Sequence, residues 1–531
     1  MSWENDIGEI MNKKSITIAV DMYGCPNRCR HCWLSHMPNA TMEDGADKWI
    51  VDSFRPYFEK IEFYSWLREP DFCKDYRDRW EKDKQLSVNA QPQRFELGSF
   101  WRLVRDPEYV LFLKDVGVSC VQLTLFGLKE TTDRYVGREG AFEEILKATE
   151  ILIEHEISPR WQTFINEENK DEIVQVLKLT EDLKLKERVE AFGGTFKFFV
   201  HPGSCDGENR KLYPVRINKG HVPDKLIPYF LNYEKTYSEK ELCEKLKNDT
   251  SSYVPHNDGD IVIYVANDYD LFFNFTHMQK EWRIGNLKTD PKEELVRRIL
   301  DEDFPALRSA REITVSELVT LYGNPESERL FEEDDFKMHL LNTYLEYESV
   351  SLETPDLILK KAKYEDWEPL YRNIWSHSES AKYMLWNVTS NEEDAKARIL
   401  RTIDFEKKEK YGLIVYLKST MEAIGFACMR EAEPFIYEET GIAVGPDYVR
   451  RGYGRQILTA LCDEAKRVGA KEFRASYRKM NAASKGMIKA CGFEFDFESE
   501  EKTDPRNGEK YTVVNCKKIL TMPLGQPLSY K

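Results

Sequence analysis

The sequence predicts an α/β protein: a partial (β/α)6 barrel with a small α+β extension, followed by a second α/β domain. From about residue 15 to 200, short β-rich runs alternate with amphipathic helical patterns, which is typical of βαβ units and a parallel sheet. A new strand-and-helix pattern begins near Leu357. Because 531 residues are too many for one core, we expect domains at 1–210, 211–355 and 356–531.

The barrel strands are predicted from six short runs rich in β-branched and aromatic residues. They are SITIAVD (15–21), KIEFYSW (60–66), RFELGSF (94–100), CVQLTLFG (120–127), PRWQTFI (159–165) and TFKFFV (195–200). Helices are predicted where apolar residues recur at i, i+3 and i+4, as in 106–117, 141–156 and 169–184. Active sites of such barrels gather at the carboxyl ends of the strands.

Composition and charge narrow the class of function. The sequence shows no signal peptide and no apolar run long enough to cross a membrane, so we expect a cytoplasmic protein. The net charge of −16 disfavours nucleic acid as a partner, because phosphate binding is largely electrostatic. Three of the eleven cysteines are crowded into eight positions, which in a reducing compartment indicates metal or redox chemistry.

The crowded cysteines are Cys25, Cys29 and Cys32, directly after the first predicted strand. This spacing lets one tight loop present three thiolates, and three protein ligands leave one iron of a four-iron cluster open. Zinc is the alternative, but structural zinc takes four ligands. His31 could be counted as the fourth ligand, but it lies between two of the cysteines, where a tight loop would aim its side chain elsewhere. We therefore predict one [4Fe-4S] cluster on these three cysteines.

The cysteine motif and its surroundings resemble the radical S-adenosylmethionine (SAM) superfamily over about residues 15–210. LREPDF (67–72) is similar to the family's Gly-Gly-Glu-Pro motif, with Leu67 and Arg68 in place of the glycines. The run 121–146 resembles the fourth strand and the helix after it, where Phe126 and Val136 replace a common Asp and Arg.

This resemblance implies bound SAM, hydrogen abstraction from a small-molecule or peptide substrate, and an electron donor such as flavodoxin or ferredoxin. Arg138 is the alternative to Arg134 as the partner of the SAM carboxylate. The positions predicted to bind SAM are His31, Glu69, Thr124, Arg134 and His201.

The middle segment contains a predicted hairpin at 260–275, and residues 262–287 resemble the twitch or SPASM extension that follows many such barrels. That extension normally binds auxiliary clusters through several cysteines. In this sequence Asn274 falls near an expected ligand position and Cys243 stands alone, and a lone cysteine is usually a small buried hydrophobe. We predict an extension without an auxiliary cluster that covers the barrel mouth.

A glycine-containing turn, Arg450 to Arg455, lies between a predicted strand and a predicted helix. Glycines at such a turn let backbone N–H groups approach a pyrophosphate at the helix N-terminus. With TGIAVGPDYVRRGYG (440–454) and IKACGFEF (488–495), the turn resembles the GNAT acetyltransferase family over about 357–520. The resemblance implies acetyl-CoA bound at Val444, Arg451, Gly452, Tyr453, Gly454, Arg455, Asn481 and Ser484.

Acetyl transfer in this domain depends on fewer residues than acetyl-CoA binding does. Glu438 and Glu439 are candidate general bases for an amine substrate, with a solvated strand end as the alternative interpretation. Ile488 replaces a tyrosine that protonates the leaving thiolate in many relatives. The leading hypothesis is a bifunctional tailoring enzyme. An Elongator-like tRNA-modifying enzyme and a SAM- or acetyl-CoA-binding sensor are the alternatives.

Overall fold

The computed structural model describes residues 12–94 and 96–520, and the chain divides into two compact units between Asn342 and Thr343. Both units mix helices and strands, so the predicted α/β class is confirmed. The strands of the first unit are β1 (Asn12–Val20), β2 (Lys60–Tyr64), β3 (Cys120–Leu125), β4 (Ser158–Phe164), β5 (Lys197–His201), β6 (Thr236–Ser238), β7 (Asp260–Val265), β8 (Asp270–Phe273), β9 (Gly285–Asn286) and β10 (Leu330–Glu332).

The α-helices up to the end of the first unit follow the predicted amphipathic segments and add several more. They are α1 (Ala46–Phe54), α2 (Tyr76–Leu86), α3 (Phe100–Leu103), α4 (Pro107–Asp115), α5 (Lys129–Val136), α6 (Ala141–Glu154), α7 (Lys170–Asp182), α8 (Leu185–Glu190), α9 (Glu239–Leu246), α10 (Lys292–Leu300), α11 (Pro305–Glu312), α12 (Val315–Tyr322) and α13 (Glu333–Glu348). Within the described ranges, no helix has the length and apolar character needed to cross a membrane.

The barrel is built from two groups of parallel strands. β1 lies between β2 and β7, and β4 lies between β3 and β5. In β3, Val121 and Leu123 are buried in the core, while Gln122 and Thr124 face the opposite side of the sheet and are only partly buried. This alternation separates an apolar outer face from a polar inner face.

The predicted strand at 94–100 is wrong, since the described residues of this segment form no strand. One main-chain hydrogen bond, from Gln122 N–H to the Glu96 carbonyl (2.8 Å), joins it to β3. The Arg94 guanidinium instead donates two hydrogen bonds to Asp71 in the loop after β2 (2.9 and 2.7 Å). The segment is thus held by side chains where a regular ladder was expected.

The middle segment forms the predicted hairpin, because β7 and β8 pair antiparallel. β7 also pairs parallel with β1, so this segment continues a barrel sheet. Cys243 is buried, and a Cβ added to Gly323 would lie 2.8 Å from its sulfur, which confirms the interpretation as a small packed residue.

The second unit contains an eight-stranded sheet, ordered β11-β12-β13-β14-β15-β16-β20-β17, a two-stranded sheet of β18 and β19, and helices. Its only parallel pair among the described strands is β15 with β16. The strands are β11 (Ser351–Glu353), β12 (Leu357–Lys360), β13 (Tyr411–Leu417), β14 (Glu422–Glu433), β15 (Ile436–Val444), β16 (Glu472–Arg478), β17 (Glu494–Glu498), β18 (Lys502–Thr503), β19 (Lys510–Tyr511) and β20 (Val513–Ile519). The α-helices are α14 (Trp367–Leu370), α15 (Ser378–Ala381), α16 (Glu392–Lys408), α17 (Tyr453–Arg467) and α18 (Ala482–Ala490).

Candidate functional site

The three predicted cluster cysteines lie on one loop after β1, the cysteine loop (residues 24–35), and all are free thiols. Burial raises the pKa of Cys25 and of Cys29 well above the ordinary thiol value and that of Cys32 to about 11. Neighbouring thiols raise the pKa values of Cys25 and Cys29 further.

One side of the cysteine loop is fixed by the end of α5. The backbone N–H of Arg28 donates to the Val136 carbonyl (2.9 Å), and that of Arg30 donates to the Tyr135 carbonyl (2.8 Å). Gly137 follows with φ +74°, and a Cβ there would lie 2.7 Å from the Arg28 carbonyl oxygen. Glycine is thus required both for the left-handed backbone and for the close approach.

The other side of the loop is fixed by the segment after β5. The backbone N–H of Glu208 donates to the Cys32 carbonyl (2.7 Å), and the Glu208 carboxylate accepts from the backbone N–H of His36 (3.1 Å). The His36 ring is hydrogen-bonded through Nε2 to the Cys29 carbonyl (2.9 Å). The cysteine loop is therefore held on both sides by hydrogen bonds from the protein itself.

Three thiolates on one loop are a ligand set that a four-iron cluster with one open iron can take. In the described part of the chain, no three His, Cys, Asp or Glu side chains converge as ligands of one ion. Each iron of a cluster takes its own thiolate, so cluster cysteines need not converge on one point. Buried thiols stay protonated without a nearby cation, and a ligated metal supplies that cation. The three cysteines remain the predicted cluster ligands.

Glu69 lies directly beside the cysteine loop. The Cys25 thiol is 3.8 Å from one carboxylate oxygen, and the Ser99 hydroxyl donates to the other. Burial raises the pKa of Glu69 to about 7, although the Ser99 hydrogen bond and the charge of Arg138 oppose this rise. A carboxyl group in this position can accept hydrogen bonds from an amino group.

The two candidate arginines after β3 occupy different environments. Arg134 is half exposed and faces Glu168, with 3.7 Å between Nη2 and a carboxylate oxygen. Arg138 is largely buried, donates from Nε to Asn27 in the cysteine loop (3.0 Å) and pairs with Glu144 (2.6 Å). The structure thus brings Arg138, the alternative considered above, into direct contact with the cysteine loop, whereas Arg134 shares the Glu168 carboxylate with Arg30 of that loop.

The two predicted histidines lie close together among aromatic rings. The His31 ring is 4.0 Å from Phe126 and 4.6 Å from Phe164, and His201 is 4.2 Å from Phe164. Burial lowers the pKa of His31 to about 3 and that of His201 to about 4, so both are neutral. Nδ1 of His31 is buried without a hydrogen-bond partner, which leaves it available to a ligand.

Thr124 belongs to a polar row on the inner face of β3, β4 and β5. It lies opposite Gln162 in the strand register, and Gln162 is hydrogen-bonded to His201 (2.5 Å). Gln122 contacts Gln162 on one side and accepts from Arg160 on the other (2.5 Å). Sequence reasoning missed Gln122, Arg160 and Gln162, although polar residues at alternate strand positions could have indicated them.

A second missed group lies beside Trp33, the residue after Cys32. The His277 ring is 4.7 Å from the Trp33 ring, and its Nε2 is 3.2 Å from the Asp206 carboxylate. His277 has φ +53°, and its Nδ1 is buried without a hydrogen-bond partner. No sequence signal joins these three residues, because the fold alone brings them together.

The departures from the radical SAM motif have structural roles. Arg68 donates two hydrogen bonds to Asp21 at the end of β1 (3.0 and 2.7 Å), and Leu67 is buried beside it. Phe126 packs on His31, and Val136 supplies a carbonyl to the cysteine loop through its backbone. The substituted side chains thus contribute packing and ion pairing.

In the second unit, the parallel pairing of β15 with β16 ends at Glu438 and Arg474. Glu438 is paired with Arg430 (2.7 Å). Burial raises the pKa of the neighbouring Glu439 to about 7, although the backbone of Ser476 and Gly441 opposes this rise by hydrogen bonding. Beyond this point β15 and β16 separate, so their facing backbone groups can hydrogen-bond an inserted amide chain.

The glycines of the predicted acetyl-CoA turn have different roles. Gly452 is the N-cap of α17 with φ +84°, and a Cβ there would meet no atom within 4 Å. A Cβ on Gly454 would lie 2.8 Å from the Met487 sulfur, so Gly454 permits packing against α18. Tyr453 begins α17, and the side chains of Arg451 and Arg455 are exposed near its start.

Four other positions of this unit are part of its framework. Asn481 is the N-cap of α18 and accepts from the Ser484 backbone N–H (3.1 Å), so these two side-chain positions cap a helix. Val444 ends β15 and pairs with Gly425 of β14. Ile488 is 2% exposed and lies in the core, so no acid stands at the usual tyrosine position.

Two family profiles match separate stretches of the chain. Residues 20–180 match the profile of the radical SAM superfamily, and residues 356–494 match that of the acetyltransferase (GNAT) domain. The Fe-coproporphyrin III synthase of Methanosarcina barkeri (strain Fusaro / DSM 804) is 25% identical over 179 residues. That match covers 33% of this chain and 43% of the relative, so less than half of the relative's length is spanned.

Solved structures similar to this chain are GNAT acetyltransferases. One from Bacillus anthracis has 18% identity and a TM-score of 0.29, covering 32% of this chain and 99% of that one. A putative ribosomal-protein-serine acetyltransferase from Vibrio cholerae has 21% identity and a TM-score of 0.29, covering 32% of this chain and 98% of that one. From the family profiles, the chain contains a radical SAM domain followed by a GNAT acetyltransferase domain.

Proposed function

We propose that the first unit cleaves SAM reductively at one [4Fe-4S] cluster and abstracts a hydrogen atom from a small-molecule or peptide substrate. An electron carrier such as flavodoxin or ferredoxin would supply the electron, and the protein would act in the cytoplasm, where its free cysteines stay reduced. The observation that carries this proposal is Glu69 beside Cys25, on a loop fixed from two sides.

The chain's own residues would divide the binding of these groups. Cys25, Cys29 and Cys32 would hold the cluster, Glu69 would accept from the SAM amino group, and Arg138 would attract its carboxylate. When bound, the cluster supplies the electron that breaks the SAM carbon–sulfur bond and gives a 5′-deoxyadenosyl radical. The aromatic rings around His31 would keep water from that radical.

The paramagnetic resonance spectrum of the reduced, reconstituted protein tests this assignment. SAM is expected to change the cluster signal of the wild type, and Glu69→Gln is expected to raise the SAM concentration needed by about tenfold or more. Glu150→Gln removes a carboxylate on α6 that pairs with Arg188 and has no contact with the cysteine loop, so it is the matched control and is expected to behave like the wild type. Equal SAM affinity in wild type and Glu69→Gln would refute the assignment of Glu69.

For the second unit we propose transfer of an acetyl group from acetyl-CoA to an amine. Glu439 would act as the general base, because its pKa of about 7 lets it accept a proton near neutral pH. The turn before α17 would bind the pyrophosphate, and the gap between β15 and β16 would take the amide chain of acetyl-CoA.

A binding-only role for this unit is favoured by one observation. Ile488 is buried in the core, so the position of the usual thiolate acid carries no donor. In that case the protein would bind acetyl-CoA and release no CoA thiol with any primary amine. Release of CoA thiol that depends on an added amine would exclude the binding-only role.

A further inference from the structure

The arginines of the second unit fall into two classes. Those with a carboxylate within 4 Å are Arg372, Arg430, Arg467, Arg474, Arg478 and Arg506. In the described part of this unit the other arginines have no such partner. Arg450, Arg451 and Arg455 lie in the turn predicted to bind the phosphates of acetyl-CoA, and Arg398 and Arg401 lie on α16.

Arg398 and Arg401 line one cleft of about 500 Å³, together with Trp386 and the hydroxyl-bearing Thr389 and Thr402. One carboxylate, that of Asp394, also lines this cleft. This carboxylate accepts a hydrogen bond from the Asn391 side chain (2.9 Å) and forms no ion pair with an arginine of the described residues. The cleft therefore carries two guanidinium groups and a single carboxylate.

The guanidinium of Arg398 is held between two indole rings, 4.7 Å from the Trp375 centroid and 4.3 Å from the Trp386 centroid. Its Nη1 donates to the Thr389 hydroxyl (3.0 Å), which fixes the plane of the group and leaves other N–H donors for a ligand. Nε1 of Trp386 is buried without a hydrogen-bond partner and is a further donor among the lining residues.

The charged form of Arg398 is disfavoured by its surroundings. Burial and, second, the charge of Arg401 lower the pKa of Arg398 to about 10. Arg398 has no carboxylate within 4 Å among the described residues, so a bound anion would offset the desolvation of its guanidinium.

We propose that this cleft, the α16 cleft, binds a phosphate group, either free phosphate or the phosphate of a monoester. Two guanidinium groups match the double negative charge and several acceptor oxygens of such a group. A carboxylate carries a single negative charge and would therefore neutralise only one of the two guanidinium groups. The inference goes beyond the proposed function, because it needs neither acetyl transfer nor radical chemistry.

Calorimetric titration of the full-length protein, without SAM or acetyl-CoA and at constant ionic strength, tests the proposal. The probes are inorganic phosphate, O-phosphoethanolamine and ethanolamine. Both phosphates are expected to bind and ethanolamine is not, and Trp375 and Trp386 should report binding through their fluorescence. Tighter binding of O-phosphoethanolamine than of inorganic phosphate assigns a monoester, and equal affinity assigns free phosphate.

The variant Arg401→Gln is expected to weaken phosphate binding about tenfold or more, since it removes one charge-assisted contact and leaves the stacked Arg398 in place. Lys408→Gln is the matched control, because it removes an exposed positive charge from the same helix outside the cleft. Arg398→Lys keeps the charge but loses the planar donors, and it should also weaken binding. Unchanged affinity in Arg401→Gln, or no phosphate binding by the wild type, would overturn the proposal.

Discussion

Two partly buried carboxyl groups, Glu69 in the first unit and Glu439 in the second, have a pKa raised to about 7. Desolvation is the largest cause in both, but the neighbours differ. Glu69 lies beside the Cys25 thiol and Ser99, whereas Glu439 is held by backbone groups at the point where β15 and β16 separate. The first environment suits recognition of a cationic amine, and the second suits proton acceptance.

The cysteine loop gives a prediction for a single residue. Cys29→Ala is expected to abolish the visible charge-transfer absorbance of the reconstituted protein and to lower its iron content, because two thiolates hold a cluster poorly. Cys120→Ala is the matched control, since Cys120 is a half-buried thiol on β3 outside the loop, and it should keep both signals. Full absorbance and iron content in Cys29→Ala would show that the ligands are wrongly assigned.

Glu439 gives a prediction with a pH dependence. A general base acts when deprotonated, so the rate of amine-dependent CoA release should rise as pH increases through about 7 and then level off. Glu439→Gln should lower this rate about 100-fold or more and remove the rise. Glu438→Gln is the control, because Glu438 is already paired with Arg430, and it should change the rate little. The same pH profile in Glu439→Gln would contradict the base assignment.

At the scale of elements, the end of α5 positions the cysteine loop. Gly137→Ala adds a Cβ 2.7 Å from the Arg28 carbonyl oxygen and strains a backbone with φ +74°. Gly117→Ala meets the same kind of strain at φ +85° but has no atom within 4 Å of the new Cβ. Both variants should lose about 1–2 kcal/mol of unfolding free energy from strain, and only Gly137→Ala should retain less iron after reconstitution.

Iron analysis and denaturant unfolding of both variants check this prediction. If Gly117→Ala lost as much iron as Gly137→Ala, general destabilisation would explain the loss, and the α5 contact would not position the loop.

The sequence predicted the elements whose own pattern is strong. Five of the six barrel strands and the hairpin were visible from their apolar and aromatic runs. The segment 94–100 has a similar composition, but Arg94 is bound to Asp71 and Ser99 to Glu69, so side-chain contacts distant in sequence replaced a ladder. Local propensity cannot show such contacts.

The same limit applies to the candidate site. The cysteines and Glu69 were predicted because they lie in a motif of fixed spacing. The choice between Arg134 and Arg138 could not be made, because Arg134 lies in the last turn of α5 and Arg138 just beyond its end, and only the position of Asn27 decides between them. The pairing of Asp206 with His277 depends on two loops meeting, which no local pattern records.

At the scale of the whole molecule, each unit has its own hydrophobic core. We therefore expect calorimetry of the full-length protein to show two unfolding transitions. Acetyl-CoA at about 100 times its dissociation constant should stabilise one transition by about 2.7 kcal/mol and leave the other unchanged. A single transition that acetyl-CoA shifts as a whole would show that the units unfold together.

Reductive cleavage of SAM at a cluster held by the cysteine loop is the proposal on which the function of the first unit depends. Its most direct test is an anaerobic reaction of the reconstituted, fully iron-loaded protein with SAM and a chemical reductant, followed by measurement of 5′-deoxyadenosine. We expect the wild type to release 5′-deoxyadenosine and Cys29→Ala to release none. A reduced, fully loaded wild-type protein that released none would show that the first unit does not cleave SAM.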